Sequence, residues 1–471
     1  MPKRDGRPVV AIIGGGFTGA AVAYHLVGKL GAGTARIAVF EPRSDLGRGL
    51  AYDTDDPVHR INVPAARMTF IPDDAEHFQR WLHSRREDDG DPESITKDGR
   101  IFAQRRVFGR YVAEQLAPLV ESGAVEHIRA RVSLVEASDG RWRVQAEGGA
   151  RLVADILVIA TTHPKPRALA AIDRVLRGHP RYVPDAMESG ALAVIRRDDR
   201  VLLVGAGLTA ADVIASLDAN GHRGVITTIS RRGLRSRGHP VLPVEPYGDF
   251  INPPSLTVVH LLRRVRRTIQ QASAEGISWH AVFDGLRAQG REIWRALSIQ
   301  QRRRLVRYLR PYWDVHRFRI APQLEDVIRH RLASASLSFS AASVVAAALT
   351  DDGTILVTLR HRHGHGETRH AFDAVILTTG PGHDAVLSSQ TFLAALEVSG
   401  FLQADAVGLG IEVDAESHPI DRDGSSLTNV LIAGPLARGT FGELMGLPQV
   451  TSHAVFVAEK IYELLRDVAS K

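Results

Sequence analysis

Two glycine-rich hexapeptides are the residues of this sequence whose types and spacing most directly suggest chemistry. Each follows an apolar stretch and precedes a helical pattern. In the G-x-G-x-x-G/A arrangement the first glycine makes a tight turn, the second lets the backbone approach a diphosphate, and the third position lets helix and strand pack closely. The helix N-terminus then offers N–H groups to the phosphates. The hexapeptides are Gly14-Gly15-Gly16-Phe17-Thr18-Gly19 and Gly205-Ala206-Gly207-Leu208-Thr209-Ala210.

The residues that end the next predicted strand differ between the two hexapeptides. Glu41 follows the first, and a carboxylate there accepts hydrogen bonds from ribose hydroxyls. Ser230-Arg231-Arg232 follows the second, and a guanidinium binds the 2′-phosphate that a carboxylate would repel. The first loop is therefore predicted to bind FAD and the second NADPH. The alternative for the second is a site for NADH beside two solvent-exposed arginines.

The elements that must position the two loops occur twice along the chain in the same order. Each copy runs strand, glycine loop, helix, strand, antiparallel meander and a final apolar strand that leads into two threonines. The first copy is predicted at 9–13, 18–30, 36–40, 132–146 and 152–160, and the second at 200–204, 209–220, 225–229, 344–360 and 372–379. Strands that alternate with helices favour parallel sheets. The predicted fold class is α/β, with two Rossmann-like dinucleotide-binding domains.

The order of the motifs predicts that the second domain is inserted in the first. The FAD-binding domain would comprise residues 1–167 and a return segment, 374–471. The NADPH-binding domain would comprise residues 168–373, with a largely helical, arginine-rich insertion at about 250–335. The return segment is predicted to hold a strand, a glycine-rich loop and a helix from about Gln449.

Composition and charge exclude several classes of protein. The 471 residues include no cysteine, which excludes disulfides, thiolate–metal sites and flavoproteins that use a redox dithiol. A net charge of +6 is too dilute over this length to favour nucleic acid, so no nucleic-acid partner is expected. The first residues lack the apolar segment of a signal peptide, and no apolar run is long enough to span a membrane. We therefore expect a cytoplasmic protein without a membrane partner.

Further motifs carry a resemblance to known proteins. The architecture resembles flavoproteins with two dinucleotide-binding domains, including flavin-containing and N-hydroxylating monooxygenases. More narrowly, the sequence resembles one family of bacterial FAD/NAD(P)-binding proteins, whose relatives include urate hydroxylases and monooxygenases that oxidise the amine of L-aspartate. The segments that carry this resemblance are 14–19, 47–52, 61–68, 205–212, 230–233, 310–313, 317–322 and 434–440.

The resemblance implies which residues surround the flavin. It places Arg48 near the isoalloxazine, together with the loop from Asn62 to Met68, which includes Val63 and is called the flavin loop below. The FAD site would be completed from the return segment by Gly434, Pro435, Leu447 and Pro448. Leu447 and Pro448 precede the last helix, and a helix N-terminus there would stabilise the negative charge of reduced flavin near N1.

The sequence also departs from patterns that related flavoproteins share. Ala160-Thr161-Thr162 stands where related flavoproteins commonly have Ala-Thr-Gly, and Pro435 stands where an Asp commonly contacts FAD. The F-x-G-x-x-x-H signature of flavin-containing monooxygenases is absent. FAD is therefore expected to bind the return loop through backbone groups.

The resemblance implies an NADPH-dependent flavin monooxygenase that acts through a C4a-hydroperoxyflavin. Its partners would be O2 and a small, anionic, nitrogen-containing substrate that is similar to urate or to an amino acid. A reductase or dehydrogenase without oxygenation is the first alternative. A flavin-binding regulatory or scaffold protein, with the arginine-rich insertion meeting an acidic partner, is the second.

No general base or metal site is predicted from the pattern of residues. The candidates near flavin and substrate are Arg48, Arg60, Asn62 and Arg67. Arg310, Trp313 and Arg317 would either line a substrate mouth or pack the insertion. The histidines His361, His363, His365 and His370 are interpreted as a hairpin loop rather than as metal ligands.

Overall fold

The computed structural model describes residues 6–469, apart from 32, 88–89, 163, 167–168, 363, 365, 381 and 383–384. Strands and helices are numbered in chain order. The strands are β1 Val9–Ile13, β2 Arg36–Phe40, β3 Val125–Ile128, β4 Val132–Ser138, β5 Arg141–Ala146, β6 Arg151–Ala154, β7 Ile156–Ile159, β8 Tyr182–Val183, β9 Val201–Val204, β10 Ile226–Ser230, β11 Leu337–Leu349, β12 Ile355–His361, β13 Glu367–Phe372, β14 Ala374–Leu377 and β15 Val430–Ile432.

The α-helices fall into those of the two units and those of the insertion. They are α1 Phe17–Leu30, α2 Gly49–Tyr52, α3 His77–Arg85, α4 Arg105–Glu121, α5 Ala170–Leu176, α6 Leu208–Ala219, α7 Val258–Ala274, α8 Trp279–Ala288, α9 Gly290–Ala296, α10 Ile299–Arg304, α11 Arg310–Arg317, α12 Pro322–Ala333, α13 Thr391–Val398, α14 Arg438–Phe441 and α15 Gln449–Ala469. Helices α7 to α11 form the insertion, whereas α12, which the predicted range of about 250–335 also included, packs in the core of the second unit.

The first unit is built on a parallel five-stranded sheet in the order β15-β7-β1-β2-β3. Its central strands are buried on both faces, which explains their unbroken apolar runs. Helices α1 and α15 contribute to the core on one face, and the sheet β4-β5-β6 with α13 contributes to the core on the other. Strand β15 joins this sheet only after the chain has passed through the second unit. The predicted α/β fold class with Rossmann-like units is confirmed.

The second unit has a single seven-stranded sheet in the order β13-β12-β11-β10-β9-β14-β8. Strand β11 pairs parallel with β10 along its first half and antiparallel with β12 along its second half. The parallel sheet and the meander are therefore continuous here, whereas in the first unit they are separate. Because β14 pairs with β9, this unit extends beyond the boundary expected at residue 373. The predicted boundary at residue 373 is therefore corrected, because β14 at 374–377 is a strand of the second sheet.

The apolar run that ends the first copy of the pattern, predicted as one strand over 152–160, forms two strands in the structure. Strand β6 belongs to the antiparallel sheet and β7 to the parallel sheet. Between them, Asp155 Oδ2 accepts a hydrogen bond from the Val9 amide at 2.8 Å. This bond marks the point where the chain leaves one sheet and enters the other.

A partly buried ion pair joins the two units at the helix that follows the second glycine loop. Arg105, in the first turn of α4, donates to both carboxylate oxygens of Asp212 on α6, at 2.8 and 3.0 Å. One turn further along, Ser216 Oγ donates to Asp56 Oδ2 at 2.6 Å. These contacts fix the direction of α6 relative to the first unit.

The helical insertion packs around its own small apolar core and against the return segment. Trp294 Nε1 donates to the Gly439 carbonyl at 2.9 Å, and Arg317 contacts Glu443 Oε1 at 2.7 Å. Within the described part of the chain, none of the helices has the length and apolar character to cross a membrane.

Candidate functional site

The first glycine loop is closely packed, as the predicted roles of its glycines require. Gly14 has a φ of +97°, and a Cβ there would lie 2.6 Å from the Ala160 carbonyl oxygen. A Cβ on Gly19 would lie 1.9 Å from the Gly14 carbonyl oxygen, so α1 and β1 touch at this point. Helix α1 begins after Gly16 without a capping side chain or an acidic residue in its first turn. Its first N–H groups therefore suit a diphosphate, as FAD requires.

Glu41 lies where the sequence places the ribose-binding carboxylate. Its side chain is buried, with one oxygen accepting the Gly15 amide at 3.1 Å and the other accepting Arg43 Nη1 at 2.9 Å. A carboxylate oxygen accepts more than one hydrogen bond, so capacity remains for ribose hydroxyls. The carboxylate is thus held in place by the same loop that would bind the diphosphate.

Arg48 and α2 border the first glycine loop. The Gly47 amide donates to the Gly15 carbonyl at 2.8 Å, and a Cβ on Gly49 would lie 3.0 Å from the Gly16 Cα. Arg48 Nε lies 3.2 Å from Asp45 Oδ2. Arg48 is therefore adjacent to the first glycine loop, and a contact with FAD stays a prediction.

The flavin loop is held by contacts from both units and from the last helix. His239, after β10, donates through Nε2 to the Asn62 carbonyl at 3.0 Å. Thr451 of α15 donates to the Thr69 carbonyl at 2.6 Å. Val63 and Leu447 belong to the same apolar cluster, so the structure brings the flavin loop to the segment before α15. Burial lowers the pKa of His239 to about 3, which keeps this ring neutral.

The return loop is tethered by a buried histidine that the sequence did not single out. His453 Nδ1 accepts the Gly434 amide at 3.0 Å, and Ser417 Oγ lies 3.3 Å from Nε2. A Cβ on Gly434 would lie 2.7 Å from Thr18 Cγ2, so the return loop, including Pro435, meets the first glycine loop. Both predicted FAD segments therefore lie together, and His453 holds the return loop at Gly434.

His453 makes the stability of the fold depend on pH. Burial lowers its pKa from 6.5 to about 3, so the unfolded chain takes up a proton below pH 6.5 that the folded chain refuses. Stability should therefore fall as pH drops from 6.5, by up to about 1.4 kcal/mol per pH unit from this residue. His453→Asn retains an acceptor for Gly434 but does not titrate. Urea unfolding at several pH values should give a shallower slope for the variant, and parallel slopes would contradict this assignment.

The second glycine loop has the same construction at the start of α6. A Cβ on Gly205, where φ is +124°, would lie 2.2 Å from the Thr378 carbonyl oxygen. A Cβ on Gly207 would meet nothing within 4 Å, and α6 begins there without a capping side chain. Leu208, Thr209 and Ala210 form the first turn of this helix. The open space at Gly207 fits a diphosphate.

The arginine pair predicted to select NADPH is divided in the structure. Arg232 lies over the Tyr312 ring, 5.2 Å from its centroid, and donates to the Tyr308 carbonyl at 3.2 Å. Arg231 is exposed. Ser230 closes the turn through a hydrogen bond from Oγ to the Leu234 carbonyl at 3.0 Å. Arg232 thus contacts the insertion, and Arg231 is the more accessible of the two.

A layer of arginines lies between the insertion and the first unit, and is called the arginine layer below. Arg287 Nη2 donates to the Leu447 carbonyl and, at 2.7 Å, to Gln449 Oε1. Arg319 pairs with Asp284 at 3.0 Å. The layer comprises Arg67, Arg287, Arg310, Arg317, Arg319 and Arg438, with Asp284, Asp314, Asp405 and Glu443 as the carboxylates that act on them. Positive charge is therefore in excess.

Burial makes the arginine layer electrostatically unusual. Desolvation and the nearby Arg317 guanidinium lower the pKa of Arg287 to about 9, and desolvation lowers that of Arg438 to about 10. Both side chains still carry their charge at neutral pH. Arg287 Nε and both Nε and Nη1 of Arg438 are buried without a hydrogen-bond partner. Unpaired buried donors are costly, so this arrangement fits an anionic ligand.

Arg60 does not belong to this layer. Its guanidinium forms a two-point contact with Asp91 at 2.7 and 2.9 Å and also donates to the Phe102 carbonyl at 3.1 Å. Its charge is used inside the fold, which corrects its candidacy for substrate binding. Of the four candidates, Arg67 is exposed and lies near Arg287 and Arg319, so it belongs to the arginine layer.

Two histidines of the predicted hairpin loop and Trp313 of the insertion lie in or pack against regular structure. His361 ends β12 and His370 lies on β13, whereas His363 and His365 lie outside the described residues. Among the described residues no group of histidines and carboxylates has the arrangement of a metal site. Trp313 packs in the core of the insertion.

Comparison with known proteins identifies the fold. Residues 11–164 match a family described as FAD-NAD(P)-binding, and no curated protein sequence matches the chain. The reduced form of ornithine hydroxylase from Pseudomonas aeruginosa is similar over 98% of this chain and 100% of its own, with 15% identity and a TM-score of 0.66. For L-lysine 6-monooxygenase from Pseudomonas syringae the values are 97%, 99%, 17% and 0.64.

A third structure is ornithine N-hydroxylase from Kutzneria sp. 744 with reduced FAD, NADP+ and L-ornithine. It is similar over 98% of this chain and 99% of its own, with 18% identity and a TM-score of 0.62. At such identities the likeness defines the fold alone, which is that of a flavoprotein with two dinucleotide-binding units. The family match identifies an FAD/NAD(P)-binding domain within residues 11–164, which hold the first glycine loop.

Proposed function

We propose that this chain is an NADPH-dependent FAD monooxygenase that oxygenates a small, nitrogen-containing, anionic substrate. The observation that carries the proposal is the arginine layer, because it places excess positive charge against the flavin loop and the segment before α15. An anion bound there would satisfy guanidinium donors that the protein leaves unpaired. The full-length likeness to N-hydroxylating monooxygenases supports the class of reaction.

The residues of this chain have separable roles in the proposed reaction. FAD, when bound, accepts a hydride from NADPH and activates O2. Arg287 contacts Leu447 and Gln449 and so orients the start of α15, whose N–H groups favour negative charge nearby. The insertion covers this region through the Arg317–Glu443 and Trp294–Gly439 contacts and restricts the access of water.

The same contacts argue against a reductase that passes electrons to a protein partner. Such an enzyme needs an accessible flavin edge, whereas here the insertion contacts the return segment on both sides of Glu443. The absence of cysteine excludes a dithiol relay. A scaffold protein would not need a second dinucleotide loop with the packing seen at Gly205.

A coupling screen tests the proposal. The FAD-loaded protein is given NADPH, O2 and one compound at a time from a panel of urate and acidic, neutral and basic amino acids and amines. We expect one anionic nitrogen compound to divert NADPH oxidation from hydrogen peroxide to a product carrying oxygen from labelled O2. Coupling by ornithine, lysine or cadaverine alone would contradict the anionic substrate. Stoichiometric hydrogen peroxide with every compound would contradict monooxygenation.

A further inference from the structure

The turn after β10 lies beside a second arginine that is distant in sequence. Arg362 follows β12, and its amide donates to the Ala341 carbonyl of β11 at 3.0 Å. Its Nη1 donates to the Arg231 carbonyl at 3.3 Å. A Cβ on Gly233 would lie 3.1 Å from the Ala341 Cβ, so the turn itself rests on β11. Arg231 and Arg362 therefore lie close together at the ends of β10 and β12, the two strands that flank β11.

The charges around this turn are unbalanced among the described residues. Glu367, the acidic residue on the same hairpin, is engaged by Arg360 at 2.8 and 3.0 Å. Arg231 and Arg362 are both exposed, and no carboxylate among the described residues pairs with either. Arg232 is directed into the insertion by Tyr308 and Tyr312 instead.

We propose that Arg362 forms the 2′-phosphate site of NADPH together with Arg231, and that it determines specificity for the phosphorylated cofactor. The inference rests on the assignment of the second glycine loop to NADPH. A phosphate monoester carries up to two negative charges and accepts bidentate contacts from more than one guanidinium. The ribose at the end of β10 would place its 2′-phosphate at this turn, within reach of both side chains. Arg232 serves as a contact between this turn and the insertion.

The experiment measures binding of 2′,5′-ADP and 5′-ADP by titration calorimetry, so that activity is not needed. Arg362→Ala and Arg231→Ala should each weaken 2′,5′-ADP by about tenfold while leaving 5′-ADP within about twofold of wild type. Retained 5′-ADP binding shows that the variant has folded. Arg360→Ala is the matched control, because it removes an arginine from the same hairpin that is paired with Glu367. It should change neither affinity.

Three results would overturn the inference. Unchanged 2′,5′-ADP binding by Arg362→Ala would remove this residue from the phosphate site and leave the NADPH assignment intact. Equal loss of both ligands would indicate a general effect on the fold or the diphosphate site. A wild-type protein that binds 5′-ADP as tightly as 2′,5′-ADP would overturn the NADPH assignment itself, and the role of Arg362 with it.

Discussion

Gly19→Ala is expected to abolish FAD binding and to lower the free energy of unfolding by roughly 3 kcal/mol or more. The added Cβ would lie 1.9 Å from the Gly14 carbonyl oxygen and 3.2 Å from Ile12 Cγ2. The first of these neighbours is backbone, so relief requires α1 to move away from β1. That movement displaces the helix N-terminus from the diphosphate position.

Gly28→Ala is the matched control because Gly28 lies on the same helix. A Cβ there meets nothing within 4 Å. Alanine is the better helix former, so this variant should gain about 0.5–1 kcal/mol and bind FAD as wild type does. Urea unfolding and the fraction of bound flavin after gel filtration measure both quantities. Normal FAD content in Gly19→Ala would show that the first loop does not bind the diphosphate as argued.

Arg287→Met is expected to raise the KM for the coupling substrate by about a hundredfold, which corresponds to about 2.7 kcal/mol. The lowered pKa of Arg287 means that the fold disfavours its charge, because the side chain is buried away from water and because Arg317 and Arg67 lie nearby. Its removal relieves this repulsion but sacrifices the contacts with Leu447 and Gln449. Stability should therefore change by less than about 1 kcal/mol.

Arg266→Met provides the control for net charge. Arg266 is exposed on α7 of the same insertion, so this substitution removes one positive charge outside the arginine layer. Its KM should stay within about twofold of wild type, since exposed charges are screened by salt. Flavin reduction by NADPH should be normal in both variants. An unchanged KM in Arg287→Met would place the substrate elsewhere.

The sequence predicted the parts of the fold that depend on local pattern. Both glycine loops, their flanking strands and Glu41 lie as expected because each follows from short-range spacing. Strand β3 was not predicted, since only Val125 of its four residues is buried and the apolar signal is weak. Strand β13 was interpreted as loop because it is mostly polar and partly exposed.

The parts of the site that were not predicted depend on contacts between distant segments. Arg60 looked like a substrate ligand because its partner Asp91 is 31 residues away in the chain. Arg362 meets the turn after β10 only through the pairing of β11 with β10 and β12. His453 reaches Gly434 from the far side of the return loop. No spacing rule in one sequence reports such meetings.

The flavin spectrum, followed in two steps, tests directly whether the protein is an NADPH-dependent monooxygenase. Protein loaded with FAD is mixed with NADPH or NADH without oxygen, and oxygen is then admitted. We expect rapid bleaching of the flavin by NADPH and much slower bleaching by NADH. After oxygen is admitted in the presence of the coupling substrate, we expect the oxidised spectrum to return only after a delay and with little hydrogen peroxide. A flavin that neither nucleotide reduces would rule out the proposed function.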